Sequence, residues 1–461
     1  MSNTLWSPHV RNDEAPIYRA IADALERDID SGILRDGARL PTHRQLAQTL
    51  GVTPLTITRA YKEASRRGLI DATVGRGTFV RTAAPPVFGT KASRDPSASI
   101  DLAKNIIQSS EDIDLDARAL ASVRPYLRDA EYAPTEGLLR HRAAAAAWLR
   151  RSNLDVNPDR IVLTPGAHQG MLAVLAAICR PGDTILAEEF SYPRFNSIAA
   201  LLHVRVQPVA LDERGLVPAA LEKACRRFSP KALYFIPNLQ NPTGSVMPEK
   251  RRREIAAIIR KHSLVAIEDD VYGFLLDAPP PPVASIAPDL TVFLTSASKS
   301  VTPSLRVGIA ALPENLVERV TLAFAATTAF TSSASAELFT QMIESGIAAQ
   351  VVENKRRVIA TNRHAAERAL GSERIDAAHP MSPHLWISLD GALDAHELAS
   401  RARLRGIVVA PASAFAIDRT SHPNAMRVSI GATADTKALE SALRTVASLI
   451  DNPRMGSGAV V

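Results

Sequence analysis

The chain has 461 residues, of which 46% are hydrophobic and 22% charged, and its formal net charge is +6. This length and composition are typical of a globular protein with two or more domains. The N-terminus lacks the pattern of a signal peptide, and no apolar run approaches the roughly 20 residues that span a bilayer. Cys179 and Cys225 match neither a metal-ligand spacing nor a disulfide framework. We therefore expect a cytoplasmic protein without a metal site.

Positive charge is concentrated in the N-terminal part of the chain. Residues 39–81 contain eight Lys or Arg residues and two acidic residues, so this window carries as much net charge as the whole chain. A concentrated basic patch favours a polyanionic partner such as double-stranded DNA. A solvated basic face without a partner is the alternative interpretation.

The same part of the chain predicts three helices. Apolar residues recur at helical spacing over residues 16–29. A second helix begins after Thr42, a predicted N-cap, and ends at Gly51, and a third covers residues 55–67. Two short helices joined by a glycine-containing turn form a helix-turn-helix, whose second helix faces the base edges of DNA.

A predicted β-hairpin follows at residues 68–80, and Arg76 at its tip is placed to enter a groove of DNA. The pattern L-P-x-x-R-x-L-A, G-V-T, T-x-x-x-A-Y, G-L-I and G-x-G-T-F-V resembles the GntR-type winged helix-turn-helix over roughly residues 14–81. Pro54 and Thr58 stand where that family often has Arg, so we expect no base contact from them. Thr53 can also serve as a plain N-cap. The resemblance implies DNA contacts at Arg44, Thr53, Thr56, Arg59 and Arg76.

Residues 82–99 are rich in Pro, Ser and Ala and show no periodicity, which is typical of a linker. We therefore predict a DNA-binding domain at residues 1–81, a linker at 82–99 and a large domain at 100–455.

The large domain alternates short apolar runs with helical segments from Ile161 onward. This alternation predicts an α/β fold with a mostly parallel sheet. Functional side chains should lie beyond the carboxyl ends of the strands. The strands are predicted at residues 161–164, 184–188, 232–237, 264–268, 290–295 and 307–312.

Polar groups follow several of these strands. Gly166 allows a tight turn before a helix whose first amides, at Ala167 and His168, would point at a phosphate. Asp269 ends a buried strand and needs a partner, for which a protonated ring nitrogen is suitable. Tyr272 follows three residues later.

Lys299 stands on a turn between two predicted strands, after Ser296 and Ser298 and seven residues before Arg306. Hydroxyl groups and a guanidinium are suitable donors to phosphate oxygens. A lysine among them suggests a covalent anchor beside a phosphate clamp. A lysine on the surface without a function is the alternative.

The motifs G-x-x-Q, E-x-x-x-Y-P, N-P-T-G, D-x-x-Y and S-x-S-K occur here in the order and spacing of the aminotransferase superfamily. The large domain therefore resembles fold-type I enzymes that use pyridoxal 5'-phosphate. The resemblance implies that Lys299 forms the aldimine, Asp269 pairs with the ring nitrogen, Tyr192 stacks on the ring, and Asn241 and Tyr272 bind its oxygen. It also implies phosphate contacts from Ser296, Ser298, Arg306, the amides of Ala167 and His168, and Tyr132 of a neighbouring subunit in a homodimer.

Two features near the C-terminal end concern a second ligand. Arg427 lies in a strand-like pattern and matches the arginine that grips the substrate α-carboxylate in aminotransferases. At residues 381–386 the chain departs from the Gly-Gly pair of many relatives. His384 and Trp386 there either shape a different ligand pocket or only pack.

The two halves together resemble the MocR (GabR-like) subfamily of GntR regulators. The resemblance implies a transcriptional regulator in which pyridoxal phosphate, or an amino compound reacting at the Lys299 aldimine, modulates DNA binding. An active aminotransferase with a secondary DNA-binding domain is the alternative, because the cofactor and carboxylate residues are all present. A sensor of pyridoxal phosphate without an amino effector is a third interpretation.

Overall fold

The structure is a computed structural model that describes residues 6–8, 16–30, 33–34, 38–66, 69–73, 77–80, 100–108, 121–128, 132–375, 378–389, 393–418 and 422–452. The chain divides into two compact units, Met1–Ala92 with Arg419–His422, and Ser93–Asp418 with Pro423–Val461. Each unit has its own hydrophobic core. The predicted linker at 82–99 and the predicted hairpin tip at Arg76 lie outside the described residues.

The smaller unit contains three helices and one hairpin. The hairpin strands pair antiparallel, with Ile70 opposite Val80, which agrees with the predicted winged helix-turn-helix. Its core is built from the inward faces of all these elements, including Ile21, Leu46 and Ile57. The elements are α1 (Ile17–Asp30), α2 (His43–Leu50), α3 (Pro54–Arg66), β1 (Ile70–Thr73) and β2 (Gly77–Val80).

Local hydrogen bonds fix the ends of the two helices of the helix-turn-helix. The Thr42 hydroxyl accepts from the Gln45 amide, and the Gln45 side chain accepts from the Thr42 amide, which together form a capping box. Gly51 ends α2 with a φ of +64°, a left-handed conformation that glycine adopts at little cost. The Thr53 hydroxyl accepts from the Thr56 amide at 3.2 Å at the start of α3. The predicted N-cap roles of Thr42 and Thr53 are therefore both observed.

The larger unit is organised around a seven-stranded sheet in the order β4-β12-β11-β10-β9-β5-β6. Strand β12 runs antiparallel to both neighbours, and the other pairs are parallel. The mostly parallel sheet predicted from the alternation is confirmed. Its strands are β4 (Ile161–Thr164), β5 (Thr184–Glu188), β6 (Arg205–Val209), β9 (Ala232–Phe235), β10 (Val265–Asp269), β11 (Thr291–Ser296) and β12 (Gly308–Ala311).

Smaller sheets complete this unit. An antiparallel sheet in the order β13-β16-β15 joins His384–Ser388, Ala425–Ser429 and Ala410–Pro411. One face of this sheet packs into a core that includes Leu385 and Val428. The two remaining pairs are β3 (Ile100–Asp101) with β14 (Ile407–Val408) and β7 (Leu211–Asp212) with β8 (Gly215–Leu216).

Helices cover the sheets. None of the helices described is both long enough and apolar enough to cross a lipid bilayer. The α-helices described in this unit are Arg124–Arg128, Leu139–Leu149, Ala167–Ile178, Pro193–Leu201, Pro218–Phe228, Glu249–His262, Val283–Ile286, Ala297–Ser300, Val317–Thr328, Ser333–Glu344, Ile347–Leu370, Ala395–Arg403 and Thr436–Asp451.

The 24-residue helix Ile347–Leu370 holds several loops in place. Lys355 Nζ donates to the carbonyl oxygens of Lys299 and Val301, at 2.8 and 2.7 Å. The Arg356 side chain donates to the carbonyl oxygens of Phe274 and Leu276. The Asn362 side chain donates to those of Ile430 and Thr433. One rigid element thus fixes three loops at the carboxyl edge of the large sheet and at the end of β16.

Candidate functional site

Two glycines bring an arginine against a helix N-terminus. Gly166 precedes the helix Ala167–Ile178 with a φ of +89°, and a Cβ atom placed on it would lie 2.8 Å from Arg306 Nη2. A Cβ atom on Gly308 would lie 2.7 Å from the Ala167 amide nitrogen. Only glycine fits at either position, so the guanidinium and the free amides of the first helical turn lie side by side. Such a pair of positive groups is suited to an anion.

The predicted phosphate hydroxyls differ in their environment. Arg306 donates from Nη1 to Ser298 Oγ at 3.3 Å and from Nη2 to the Pro165 carbonyl at 2.7 Å. Ser298 Oγ therefore lies beside the guanidinium. The Ser296 hydroxyl accepts from the Ser298 amide and donates to the Val307 carbonyl, both at 3.1 Å. Ser296 therefore caps the turn, and Ser298 is the hydroxyl next to the proposed anion position.

Lys299 lies in the short helix that follows β11, and its Nζ donates to the backbone carbonyl of Asn105. Burial, followed by the nearby Arg427 guanidinium, lowers the pKa of Lys299 to about 8. A lysine with a lowered pKa has a larger fraction of neutral amine near neutral pH, and only the neutral amine is a nucleophile. The alternative interpretation of Lys299 as a surface charge does not agree with this burial.

Asp269 ends β10 and is only 4% exposed. Its Oδ2 accepts from the Tyr234 hydroxyl at 2.6 Å, whereas Oδ1 has no partner among the described residues. Burial raises the pKa of Asp269 to about 7, although the bond from Tyr234 opposes that rise. The next residue, Asp270, instead accepts from Asn238 Nδ2 and the Gly273 amide at 3.1 and 2.9 Å. Both of these bonds end on Asp270 Oδ1, and Asp270 Oδ2 also has no partner among the described residues. Asp269 is the carboxylate of this pair whose charge acts on Lys299.

Tyr272, 1% exposed, lies beyond the same strand. Burial raises the pKa of Tyr272, while the Arg427 guanidinium and then the Asn105 side chain oppose that rise. Neither the Tyr272 hydroxyl nor Asn105 Oδ1 completes a hydrogen bond with a described residue. The His384 ring meets the Tyr272 ring edge-on, with centroids 5.0 Å apart.

Arg427 lies in the middle strand of the small sheet and is 3% exposed. Its Nη1 donates to Asn241 Oδ1 at 2.9 Å, and its Nη2 donates to the Ala103 carbonyl at 2.5 Å. The guanidinium lies over the Phe415 ring at 4.7 Å. Its Nε has no hydrogen-bond partner among the described residues. A buried cation without a carboxylate partner costs free energy, unless a ligand supplies the anion.

Tyr192 and His168 lie close together at the ends of β5 and β4. Their rings meet edge-on with centroids 6.4 Å apart. Burial raises the pKa of Tyr192. Burial and the neighbouring Arg194 and Arg306 lower the pKa of His168, so its imidazole is neutral. His168 Nδ1 has no partner among the described residues.

Tyr132, by contrast, is 89% exposed and contacts the Phe330 ring at a centroid distance of 5.6 Å. It therefore lies at the surface of its own unit.

Within the described residues, most buried polar atoms without partners belong to side chains of the predicted site or its neighbours, and Thr291 at the start of β11 is an exception. Unsatisfied buried polar groups are rare in native proteins and require an explanation such as a ligand. The residues that carry such atoms include Asn105, His168, Glu188, Asp269, Tyr272, His384, Arg427 and Ser429. Beside them lie an anion cradle and a partly neutral amine. A carboxylate for a ring nitrogen, donors for a ring oxygen and a cradle for a phosphate are the set that pyridoxal phosphate requires.

The predicted DNA contacts lie on the smaller unit. Arg44 on α2 and Arg59 on α3 are exposed, and Thr53 is exposed at the start of α3. The hydroxyl groups of Thr53 and Thr56 lie 2.9 Å apart. Thr58, from which no base contact is expected, bonds to the Pro54 carbonyl at 2.9 Å. Arg76 lies outside the described residues.

Several residues near the large-unit site were missed from the sequence. Tyr234 could have been found, because a tyrosine inside a fully apolar strand needs a partner for its hydroxyl. Glu188, at the end of β5, bonds to Gln240 and the Ile236 amide, and burial raises its pKa to about 8. The carbonyl oxygens of Ala103 and Asn105 carry no signal in the sequence.

Two family descriptions match the chain. They are "Bacterial regulatory proteins, gntR family" over residues 17–80 and "Aminotransferase class I and II" over residues 106–446. The second match covers most of the chain and includes every residue predicted to bind the cofactor or the effector, whereas Ala103 and Asn105 lie just before it.

The chain is also similar to known regulators. It is 31% identical over 455 residues to an HTH-type transcriptional regulator of Bacillus subtilis, YdeF, itself uncharacterised, and the match covers 97% of each chain. It is 30% identical over 316 residues to the HTH-type pyridoxine biosynthesis transcriptional regulator PdxR of Corynebacterium glutamicum, covering 67% of this chain and 68% of PdxR.

A solved structure with a similar fold is LysN, an alpha-aminoadipate aminotransferase from Thermus thermophilus complexed with N-(5'-phosphopyridoxyl)-L-leucine. The TM-score is 0.68 at 25% identity, over 77% of this chain and 92% of LysN. The chain belongs to the MocR-type subfamily of GntR transcriptional regulators, in which a GntR-family helix-turn-helix domain is joined to an aminotransferase class I and II domain that binds pyridoxal phosphate.

Proposed function

We propose that the larger unit holds pyridoxal phosphate at Lys299 and that an amino compound with a carboxylate, bound there by Arg427, changes the affinity of the smaller unit for DNA. The observation that carries this proposal is the concentration of unpartnered buried polar atoms around Lys299. They imply that the site is complete only with its ligands.

Each part of the cofactor has a group suited to it. Asp269 Oδ1 is free to accept from the ring nitrogen, and Tyr272 is free to donate to the ring oxygen. Asn241 Oδ1 already accepts from Arg427, which orients the Asn241 amide so that its nitrogen can serve the same ring oxygen. Tyr192 provides an aromatic face for stacking. When bound, pyridoxal phosphate supplies an aldehyde carbon and an electron-withdrawing ring.

The phosphate would lie between Arg306, Ser298 and the amides of Ala167 and His168. The Arg306 Nη1 bond to Ser298 Oγ and the approach of Arg306 to Gly166 support this assignment. Ser296 contributes by capping the turn that carries Ser298.

Arg427 would hold the effector through its carboxylate. The Nε of this guanidinium is unpartnered and buried beside Asn241, close to Lys299. A guanidinium binds a carboxylate through two parallel hydrogen bonds, which fix orientation as well as charge. Arg427 is therefore placed to orient an amino acid so that its amino group faces Lys299.

The proposed assembly is a homodimer in which Tyr132 reaches the phosphate of the neighbouring subunit. The exposure of this tyrosine supports that role. The proposed domain limits are 1–81, 82–99 and 100–455, and the matched regions 17–80 and 106–446 fall inside them. On DNA, Arg44, Thr53, Thr56, Arg59 and Arg76 are the proposed contacts, supported by the exposure of Arg44, Thr53 and Arg59.

A second candidate function is transamination. The observation that favours it is the set of a partly neutral Lys299, a buried Asp269 and a buried Arg427 in one site. Regulation is the better-supported function, because a helix-turn-helix domain has no part in amino-group transfer.

The test uses the full-length protein with pyridoxal phosphate and DNA selected by the protein from a random-sequence library. The visible absorption band and the DNA affinity are followed while a panel of L-amino acids is added. We expect one or more amino acids to change both signals in the wild type, and neither in Arg427→Met, although that variant keeps the cofactor band.

Three results would argue against the proposal. Absence of any cofactor band would contradict the cofactor site. A full response in Arg427→Met would contradict the role of the carboxylate and favour sensing of pyridoxal phosphate alone. Steady release of a keto acid, with no change in DNA affinity, would favour the aminotransferase.

A further inference from the structure

One buried side chain beside this site, that of His384, has no hydrogen-bond partner among the described residues and no proposed part in holding the cofactor. His384 begins β13, where it pairs in register with Ser429 of β16, and Trp386 pairs with Arg427. Side chains alternate between the faces of a sheet, so these four residues share one face. The other face lies in the core with Leu385. The polar face therefore carries the carboxylate-binding Arg427 together with His384.

His384 is 0% exposed, and neither ring nitrogen has a partner among the described residues. Burial, and then the positive charges of Arg427 and Lys299, lowers the pKa of His384 well below its usual value. The imidazole is therefore neutral, with one N–H donor and one acceptor nitrogen. Burying both groups unsatisfied is unfavourable. A leucine or phenylalanine would fill the same space without that cost.

The cofactor does not account for this histidine. The proposed partner of the cofactor's ring nitrogen is Asp269, and that of its phosphate is Arg306. Its ring oxygen is assigned to Asn241 and Tyr272. The His384 and Tyr272 rings are perpendicular, with centroids 5.0 Å apart. His384 lies on the same face of the small sheet as Arg427. The hydroxyl of Ser429, the residue opposite His384 in register, is also buried and has no partner among the residues described. These polar groups adjoin the place where an amino acid held by Arg427 would lie.

We propose that His384 is a recognition residue for the effector, and that the effector is an amino acid whose side chain carries a hydrogen-bonding polar group. This inference rests on the proposed function, in which an amino acid meets Lys299 and Arg427. The polar group accepts from the imidazole N–H or donates to the other ring nitrogen, and the Ser429 hydroxyl can add a second bond. A purely aliphatic side chain would leave His384 unsatisfied after water has been excluded.

The test compares amino acids of similar shape and different polarity. Full-length protein with bound pyridoxal phosphate is titrated with L-threonine and L-valine, L-asparagine and L-leucine, and L-glutamine and L-methionine. The absorption band and the affinity for selected DNA are both recorded. In the wild type we expect the polar member of at least one pair to act at about tenfold lower concentration, because a buried unpaired group is costly.

Three variants locate the preference. In His384→Leu, the polar and apolar members of a pair should act at nearly equal concentrations. The cofactor band and the response to the apolar member should persist. His384→Gln keeps a donor and an acceptor and should retain part of the preference. His364→Leu replaces an exposed histidine on the helix Ile347–Leu370 and should behave as the wild type.

The outcomes separate this inference from the function on which it rests. A wild type that responds to amino acids but prefers the polar member of no pair overturns the inference alone, however the variants fold. An unchanged preference in His384→Leu also overturns it alone. A wild type that binds the cofactor and responds to no amino acid contradicts the proposed effector, and the inference fails with it.

Discussion

The predicted DNA contacts and the predicted cofactor contacts differ in how their polar groups are satisfied. On the smaller unit Arg44 and Thr53 are exposed, and the Thr53 hydroxyl is bonded within its own turn. On the larger unit Asp269, Tyr272 and Arg427 are buried, and each keeps a polar atom without a partner in the part of the chain that the structure describes. Among the described residues, the Thr53 hydroxyl is thus satisfied within its own unit, whereas the predicted cofactor contacts keep atoms that a ligand could satisfy. Ligand binding should therefore stabilise the larger unit specifically.

The largest effect is expected from Lys299→Ala. This change removes the amine that anchors the cofactor, so the visible band should be lost after dialysis. The gain in thermal stability that pyridoxal phosphate gives the wild type should shrink with it. Lys250→Ala, which removes an exposed lysine on the helix Glu249–His262, is the matched control. If Lys299→Ala keeps the same band, the anchor lies elsewhere.

A smaller effect, on DNA binding by the smaller unit, is expected from Arg44→Ala. Loss of an exposed cationic contact should weaken DNA binding by about 1–3 kcal/mol and reduce the dependence of affinity on salt. The cofactor band should not change. Arg27→Ala removes an exposed arginine on α1 and is the control. Equal losses in the two variants would mean that general positive charge, rather than the helix-turn-helix, binds the DNA.

Uptake of pyridoxal phosphate by the cofactor-free protein should depend on pH. The pKa of Lys299 is lowered to about 8, first by burial and then by Arg427. Below that pH the amine is protonated, so the uptake rate should rise about tenfold between pH 7 and pH 9 and then level off.

Asp269→Asn is the control for this profile. The Asp269 carboxylate favours the charged form of Lys299, so its removal should move the rise to lower pH without abolishing it. A rate that does not change between pH 7 and pH 9 in the wild type would contradict a neutral Lys299 as the reacting group.

The smallest effect is expected from Thr53→Ala. Loss of the N-cap of α3 should cost about 1 kcal/mol, so the α3 amides should exchange hydrogen roughly fivefold faster. Thr53→Ser keeps the hydroxyl and should exchange at the wild-type rate. Mass spectrometry resolves these amides from those of the larger unit, whose exchange should be the same in both variants. Faster exchange in Thr53→Ser would mean that the methyl group, and not the cap, is needed.

The elements of both units could be predicted from local pattern. Strands β4 and β5 have the bounds predicted for them, and β9–β12 differ by one or two residues at their ends. These strands are buried on both faces and read as continuous apolar runs. Strand β6, with its exposed Arg205 and Pro208, carries no such signal and was missed.

The site could be predicted only in part. Lys299, Asp269 and Arg427 follow or interrupt apolar strands, where burying a charged side chain costs free energy unless it has a partner. The Asn105 and Ala103 carbonyls, which accept from Lys299 and Arg427, are backbone groups far away in sequence. The sequence does not predict them, because every residue type has the same backbone carbonyl oxygen. Whether Ser296 or Ser298 faces the guanidinium also depended on tertiary hydrogen bonds.

The helix Ile347–Leu370 limits the length of the proposed effector. Lys355 holds the backbone at Lys299, and Asn362 holds the backbone that follows the strand of Arg427. Seven helical residues span about 10 Å. One helix therefore holds both backbone segments, where separate loops would let their separation vary. Under the proposed function, this fixed separation would select an effector by the distance between its amino and carboxyl groups.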